Sequence, residues 1–158
     1  MSWGTPIIHS VGDVLTAADW NTSSNDLSFL AGTASANILT VETTTSTTYT
    51  DLATVGPAVT LTTGANALVI VTASLSNSGS AVSNFNLMGY AVSGASTVAA
   101  TDNTALSATS NPANSETQMS MATVVGLTAG SNTFTAKYKV GAGTGSFSRR
   151  VITVIPLP

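Results

Sequence analysis

The chain has 158 residues, enough for one domain with a short appendage, and only 7% of them are charged, against about 25% in ordinary soluble domains. Its net charge is −3, and its four basic residues are too few to neutralise a nucleic-acid backbone, so we expect no nucleic-acid partner. The absence of cysteine excludes disulfide bonds and thiolate metal sites.

Apolar residues make up 43% of the chain, and the mean hydropathy is +0.33. Disordered chains combine low hydrophobicity with high net charge, so this composition predicts a folded protein. Thr and Ser are abundant, with 27 and 21 residues, and they favour strands and turns respectively. Two explanations for the uncharged surface remain open: the surface is rich in hydroxyl groups, or neighbouring subunits cover it.

The sequence of residues 1–15 indicates an extended arm. It contains apolar side chains such as Trp3, Ile7 and Ile8, but a proline and a glycine prevent a regular helix or strand. An arm of this kind has no core of its own, so we expect it to lie along another surface. It lacks the basic and apolar regions of a signal peptide. The longest apolar stretch, at 67–71, is much shorter than a membrane span, so we expect no membrane partner.

The sequence predicts one convincing helix, over residues 17–31. Thr16 is a suitable N-cap, a carboxylate in the first turn favours the helix dipole, and Gly32 is a suitable end. The apolar side chains near one face form a narrow stripe, closer to a coiled-coil seam than to the broad face of a core helix. The stripe consists of Trp20, Leu27 and Leu30.

The remaining sequence predicts strands and turns. The whole chain is therefore expected to divide into an arm and helix over residues 1–36 and a β-sandwich over residues 37–158. The strands are expected at 38–43, 47–53, 57–62, 67–77, 83–93, 96–100, 116–125, 132–140 and 146–155. Strand 67–77 is expected to be central, because both faces of its first half are apolar. We interpret 100–116 as a long surface loop that holds at most one short strand. Many short strands without helices between them predict a mainly β fold, an antiparallel, jelly-roll-like β-sandwich.

Few side chains in this sequence are suited to catalysis. The one histidine, His9, lies in the arm without a second candidate ligand. Asp102 and Glu116 bracket the long loop, so a paired catalytic or calcium role is a minor alternative to two solvated loop ends. No phosphate-binding loop, EF-hand or nucleophile elbow is present. We therefore expect no enzymatic activity, no cofactor and no metal.

The four basic residues lie close together in the C-terminal strands. Lys137 and Lys139 share one strand face, whereas Arg149 and Arg150 point to opposite faces of the next strand. One interpretation is that they are solvated positions that keep a sheet face soluble. The other is a small cationic patch that docks on an acidic neighbour.

Both tryptophans lie outside the predicted sandwich, where a large aromatic side chain needs a partner to bury it. They either pack back onto the domain or dock on another subunit, and we expect docking. The expected anchoring residues are Trp3, Ile7, Ile8, Trp20, Leu27 and Leu30.

Three runs of the N-terminal sequence resemble the first segment of many structural proteins of tailed bacteriophages. They are Trp3-Gly-Thr-Pro6, Val11-Gly-Asp-Val-Leu-Thr-Ala-Ala-Asp-Trp-Asn-Thr22 and Asn25-Asp-Leu-Ser-Phe-Leu30. The chain departs from that pattern at Asn25, where arginine is usual, and at Trp20, where leucine or methionine is usual.

The C-terminal sequence, Gly126-Leu-Thr-Ala-Gly-Ser-Asn-Thr-Phe-Thr-Ala-Lys-Tyr-Lys-Val140 followed by Arg149-Arg-Val-Ile-Thr-Val-Ile-Pro156, resembles the last two strands of phage head or tail sandwiches. Such domains are similar to the trimeric jelly rolls of the tumour-necrosis-factor and complement-globular-head type. The resemblance implies a virion protein, assembled in the host cytoplasm, with itself and the major capsid or tail proteins as partners.

Within that resemblance the leading hypothesis is a homotrimer that decorates and reinforces the capsid. The alternative is a tail-tip or tail-fibre module that binds host surface polymers through exposed aromatic side chains on distal loops. Tyr90 and the loop 100–116 are the candidates for such a surface.

Overall fold

The computed structural model describes residues 10–157, without the side chains of residues 25–30. This part of the chain folds into one helix and nine strands, in agreement with the predicted mainly β class. The elements are α1 (Ala17–Ala31), β1 (Ala34–Ile38), β2 (Glu42–Thr44), β3 (Ala58–Thr63), β4 (Asn66–Asn77), β5 (Phe85–Gly94), β6 (Leu106–Thr109), β7 (Thr117–Gly126), β8 (Gly130–Val140) and β9 (Gly145–Leu157). A single 3-10 turn covers Asp102–Thr104.

The strands form two antiparallel sheets. The first sheet has the order β1-β9-β4-β7, and β2 also pairs with β9. The second sheet has the order β3-β8-β5-β6. Because β4 pairs with β9 on one side and β7 on the other, it is central, as its sequence predicts.

The core lies between the two sheets and is built by alternating side chains, since neighbours along a strand point to opposite faces. On β4, Val69 and Val71 are buried, whereas Leu68 and Ile70 on the opposite face are only half-buried. The apolar pattern predicts burial of both faces in the first half of this strand, and this prediction is wrong for the outer face. On β8, Phe134 and the other side chains of the inward face are fully buried. Each large apolar side chain in this set contributes about 1.5–3 kcal/mol of transfer free energy.

Helix α1 begins and ends at the predicted residues. The hydroxyl of Thr16 accepts a hydrogen bond from the Asp19 backbone N–H at 3.3 Å, and the Asp19 carboxylate accepts one from the Thr16 N–H at 2.6 Å. This reciprocal cap satisfies two N–H groups that a helix start leaves unpaired. The helix contacts β9 of the sandwich.

The structure differs from the predicted elements at three places. The first sheet begins at Ala34, so the expected boundary after residue 36 falls inside β1. The segments 47–53 and 96–100 each form only one bridge instead of a strand. The short strand β6 lies within 100–116, where the sequence allowed one short strand inside a long loop.

The irregular course of 47–53 follows from its position along the edge of β8. Strand β3 pairs with β8 only as far as Thr135, and the preceding segment occupies the remaining edge of β8. It is held there by backbone hydrogen bonds at Ser46, Thr50 and Pro57, which are too widely spaced for a continuous ladder.

Candidate functional site

The segment before and within the start of α1 presents large apolar side chains to solvent. Val11, Val14 and Leu15 are exposed, and the Trp20 residue is 65% exposed. Trp20 therefore does not pack back onto the sandwich, and its docking on another subunit stays a prediction. Trp3, Ile7, Ile8 and His9 lie outside the described residues, as do the side chains of Leu27 and Leu30.

A second apolar surface covers the outer face of the first sheet. Strand register places Leu68 of β4 between Ile155 of β9 and Val124 of β7, and sets Ile70 in the next row. Val124 is 63% exposed, and the other three side chains are half-buried. Strands β1, β4 and β7 contain no ionisable residue. We call the surface around Leu68, Ile70, Val124 and Ile155 the sheet face.

The four basic residues are each paired with a carboxylate. The distances are 2.7 Å for Lys137–Asp51, 2.8 Å for Lys139–Asp102, 2.7 Å for Arg149–Glu116 and 3.0 Å for Arg150–Glu42. The prediction that these cations form a docking patch is wrong for Arg150, which is fully buried. The other three have their charge balanced at short range, and of these only Arg149 is well exposed, with 63% of its side chain accessible.

A bulge in β9 explains why Arg150, and not Arg149, faces the core. The register between β4 and β9 shifts between Thr72 and Ser74, so two residues of β9 oppose one residue of β4. Arg149 has a positive φ of 48° and is exposed, and the chain then turns Arg150 towards the core. The opposite orientation of the two side chains agrees with the prediction from strand alternation.

Arg150 is the centre of a buried polar network. Its Nη1 donates to Glu42 at 3.0 Å, its Nη2 donates to the Thr40 carbonyl at 3.2 Å, and its guanidinium lies 5.5 Å from the centre of the Tyr138 ring. Its Nε has no hydrogen-bond partner among the described residues. Glu42 also accepts hydrogen bonds from the N–H and hydroxyl of Thr54. The network joins β9, β2 and the segment that leads to β3.

Acid is expected to destabilise this fold. The Thr54 hydroxyl lowers the pKa of Glu42, with a further contribution from Arg150, and the hydrogen bond from Lys139 lowers the pKa of Asp102. A carboxylate with a lowered folded-state pKa stabilises the fold fully above its unfolded pKa of about 4, and this contribution is lost as pH falls through the folded value. Urea unfolding should therefore show a lower midpoint at about pH 3 than at about pH 7. Glu42→Gln should reduce that difference; an unchanged difference would contradict the assignment.

Other predicted candidates do not form a site in the structure. Tyr90, proposed as an exposed aromatic residue, is buried in the core, and its hydroxyl lies 2.9 Å from the Thr123 hydroxyl. Asp102 and Glu116 bind different cations, Lys139 and Arg149. Across residues 10–157, no group of three or more His, Cys, Asp or Glu side chains is arranged to hold a metal ion. Among the described helices there is none with the length and apolar character needed to cross a membrane.

No protein-family model and no curated protein sequence matches this chain. Solved structures do match. The structure of Eiger TNF from S. frugiperda overlaps with a TM-score of 0.53 at 14% identity, over 80% of this chain and 94% of that chain. A family 35 carbohydrate binding module from an environmental isolate gives a TM-score of 0.33 at 16% identity, over 79% of this chain and 90% of that chain, which is too loose to carry an argument. At this level of identity the likeness shows the fold alone, and the fold is a TNF-like jelly-roll β-sandwich.

Proposed function

We propose that the protein is a non-enzymatic structural component of a tailed-bacteriophage virion, a homotrimer that decorates the capsid. The exposed apolar side chains of Val11, Val14, Leu15 and Trp20 carry the proposal, because they lie outside the sandwich core and need a partner to leave water. The resemblance of the N-terminal sequence to phage structural proteins supports another virion protein as that partner, and the small size of the chain favours capsid decoration over a fibre. The jelly-roll fold supports the structural role.

Self-association is proposed to occur through the sheet face. A largely apolar surface that spans several strands is unusual for a free monomer, and burying it between copies removes it from water. The C-terminal sequence resembles the last two strands of phage sandwiches, and the similarity of such domains to trimeric jelly rolls supports three copies. We call residues 11–20 the anchoring segment. Three copies of this segment in one particle-bound trimer raise the effective affinity well above that of a single segment.

The anchoring role of this segment can be tested by mixing the protein with capsids that do not carry the protein and then sedimenting the capsids. We expect the double variant V14S/W20A to lose most particle binding, by about tenfold or more, because each change removes a large apolar contact. The bound fraction is measured by gel densitometry of the pelleted particles. Circular dichroism should remain that of the folded sandwich.

The matched control is Val82→Ser, which removes another highly exposed apolar side chain, located outside the anchoring segment. It should bind particles like the unchanged protein. A chain without residues 1–31 keeps all nine strands and should fold but not bind. Full binding by either the double variant or the shortened chain would refute the anchoring role. Electron microscopy of gold-labelled particles would separate the head from the tail, and label on the tail would overturn capsid decoration.

A further inference from the structure

An open cavity lies on the outer side of the second sheet, away from the sheet face and the anchoring segment. Its volume is about 410 Å³, which lies within the range of small-molecule sites. Ala91 of β5 and Lys137 of β8 line it from the sheet, and two loop segments, 49–51 and 99–100, line its sides. The cavity therefore exists only because both loops lie over the same pair of strands.

The polar part of this cavity is an ion pair that is electrically neutral overall. The Lys137 ammonium donates to both carboxylate oxygens of Asp51, at 2.7 and 2.8 Å. These two bonds leave one ammonium proton free to donate, and each carboxylate oxygen keeps a lone pair that can accept. A donor and an acceptor are thus held side by side, as two adjacent hydroxyl groups of a ligand require.

A charged ligand is disfavoured by the same pair, because it would have to compete with a bidentate contact for either partner. A neutral ligand can use the remaining positions without separating the two charges. The partly exposed ion pair is therefore better suited to hydroxyl groups than to a carboxylate, phosphate or amine.

The hydroxyl of Tyr49, beside the cavity, is buried and interacts with the Asp102 carboxylate. Burial, together with the nearby charge of Asp102, raises the pKa of Tyr49, so this hydroxyl stays protonated. Tyr49 itself lines the cavity.

The apolar part of the cavity consists of alanine side chains. Ala91, Ala99 and Ala100 supply small methyl groups where longer side chains would fill the space. Such a surface contacts the C–H face of a ring while the polar groups engage its hydroxyls. We propose that this cavity binds a neutral, ring-shaped polyol, a single sugar residue with adjacent hydroxyl groups.

The proposal stands apart from the capsid role and can be tested on the full chain in solution. Isotope-labelled protein is titrated with D-glucose, D-galactose and L-rhamnose, up to about 50 mM, well above the millimolar dissociation constant of a weak site. We expect at least one of the three sugars to shift the amide resonances of residues 49–51, 91 and 99–100 in a saturable manner. No saturable shift with any of them, or shifts confined to other residues, would overturn the proposal.

Two variants separate a specific site from general contact. Asp51→Asn removes the charged acceptor and should weaken binding about tenfold or more. Ala91→Leu leaves the ion pair in place but fills the cavity, so it should abolish binding even if the first variant folds poorly. The matched control is Glu116→Gln, which breaks the exposed ion pair on the other sheet and should bind like the unchanged chain. Equal sugar affinity in the unchanged chain and Ala91→Leu would show that the cavity is not the site.

Discussion

Glu42→Ala is expected to lower the free energy of unfolding by about 3–5 kcal/mol, because it leaves the buried guanidinium of Arg150 without its counter-charge. Arg150 is fully buried, and the Glu42 side chain is 14% exposed, so water cannot replace the lost contact. The loss is a large fraction of the 5–15 kcal/mol that holds a typical domain together. Urea denaturation followed by circular dichroism measures it.

Two further variants distinguish a buried charge from general damage. Glu116→Ala removes the carboxylate partner of Arg149, whose side chain is 63% exposed, and should cost at most about 1 kcal/mol. The double variant E42L/R150M replaces the buried pair by apolar side chains of similar size and should recover most of the stability. Equal losses for Glu42→Ala and Glu116→Ala would contradict the network described here.

The elements that the sequence predicts best are those in which one local signal decides the structure. Helix α1 is bounded by Thr16 and Gly32, and its reciprocal cap is visible as two residue types three positions apart. Strand β8 alternates strictly between apolar and polar residues, and its inward set is fully buried. In both cases short-range patterning and tertiary packing agree.

The segments that were predicted wrongly depend on pairing partners that no local pattern specifies. Residues 47–53 have the composition of a strand, but the edge of β8 that they occupy admits only a bridge at Thr50. Residues 34–36 were assigned to the arm and helix region, yet they pair with β9 from Ala34 onward. The inward turn of Arg150 depends on a bulge, which strand alternation alone does not locate.

The candidate surfaces were predictable to different degrees. Exposure of Trp20 follows from its position outside the sandwich, and Val11, Val14 and Leu15 were recognisable as apolar residues of the same appendage. The cavity was not predictable, because Asp51 and Lys137 are 86 positions apart and meet only when the 49–51 loop lies over the second sheet. Its one sequence signal is the run of small residues at 99–100.

Ile70→Lys is expected to dissociate the proposed trimer into folded monomers. Ile70 lies on the sheet face, between Thr153 of β9 and Ala122 of β7, with no carboxylate in any of these rows. In an assembly that buries this face, each copy would carry an unpaired ammonium into the contact, at a cost of about 3 kcal/mol or more. Light scattering after size exclusion should change from three times the chain mass of 15.8 kDa to a single chain.

The same substitution should hardly affect the isolated protomer, because Ile70 is only half-buried there and a lysine can extend into solvent. Thr62→Lys is the matched control, since it adds the same charge to an exposed position on the outer side of the second sheet. That variant should remain trimeric, so any difference between the two lysines reports the location of the contact rather than the added charge. If Ile70→Lys stays trimeric, the subunits meet elsewhere; if the unchanged chain is a monomer, the charge-poor sheet face needs another partner.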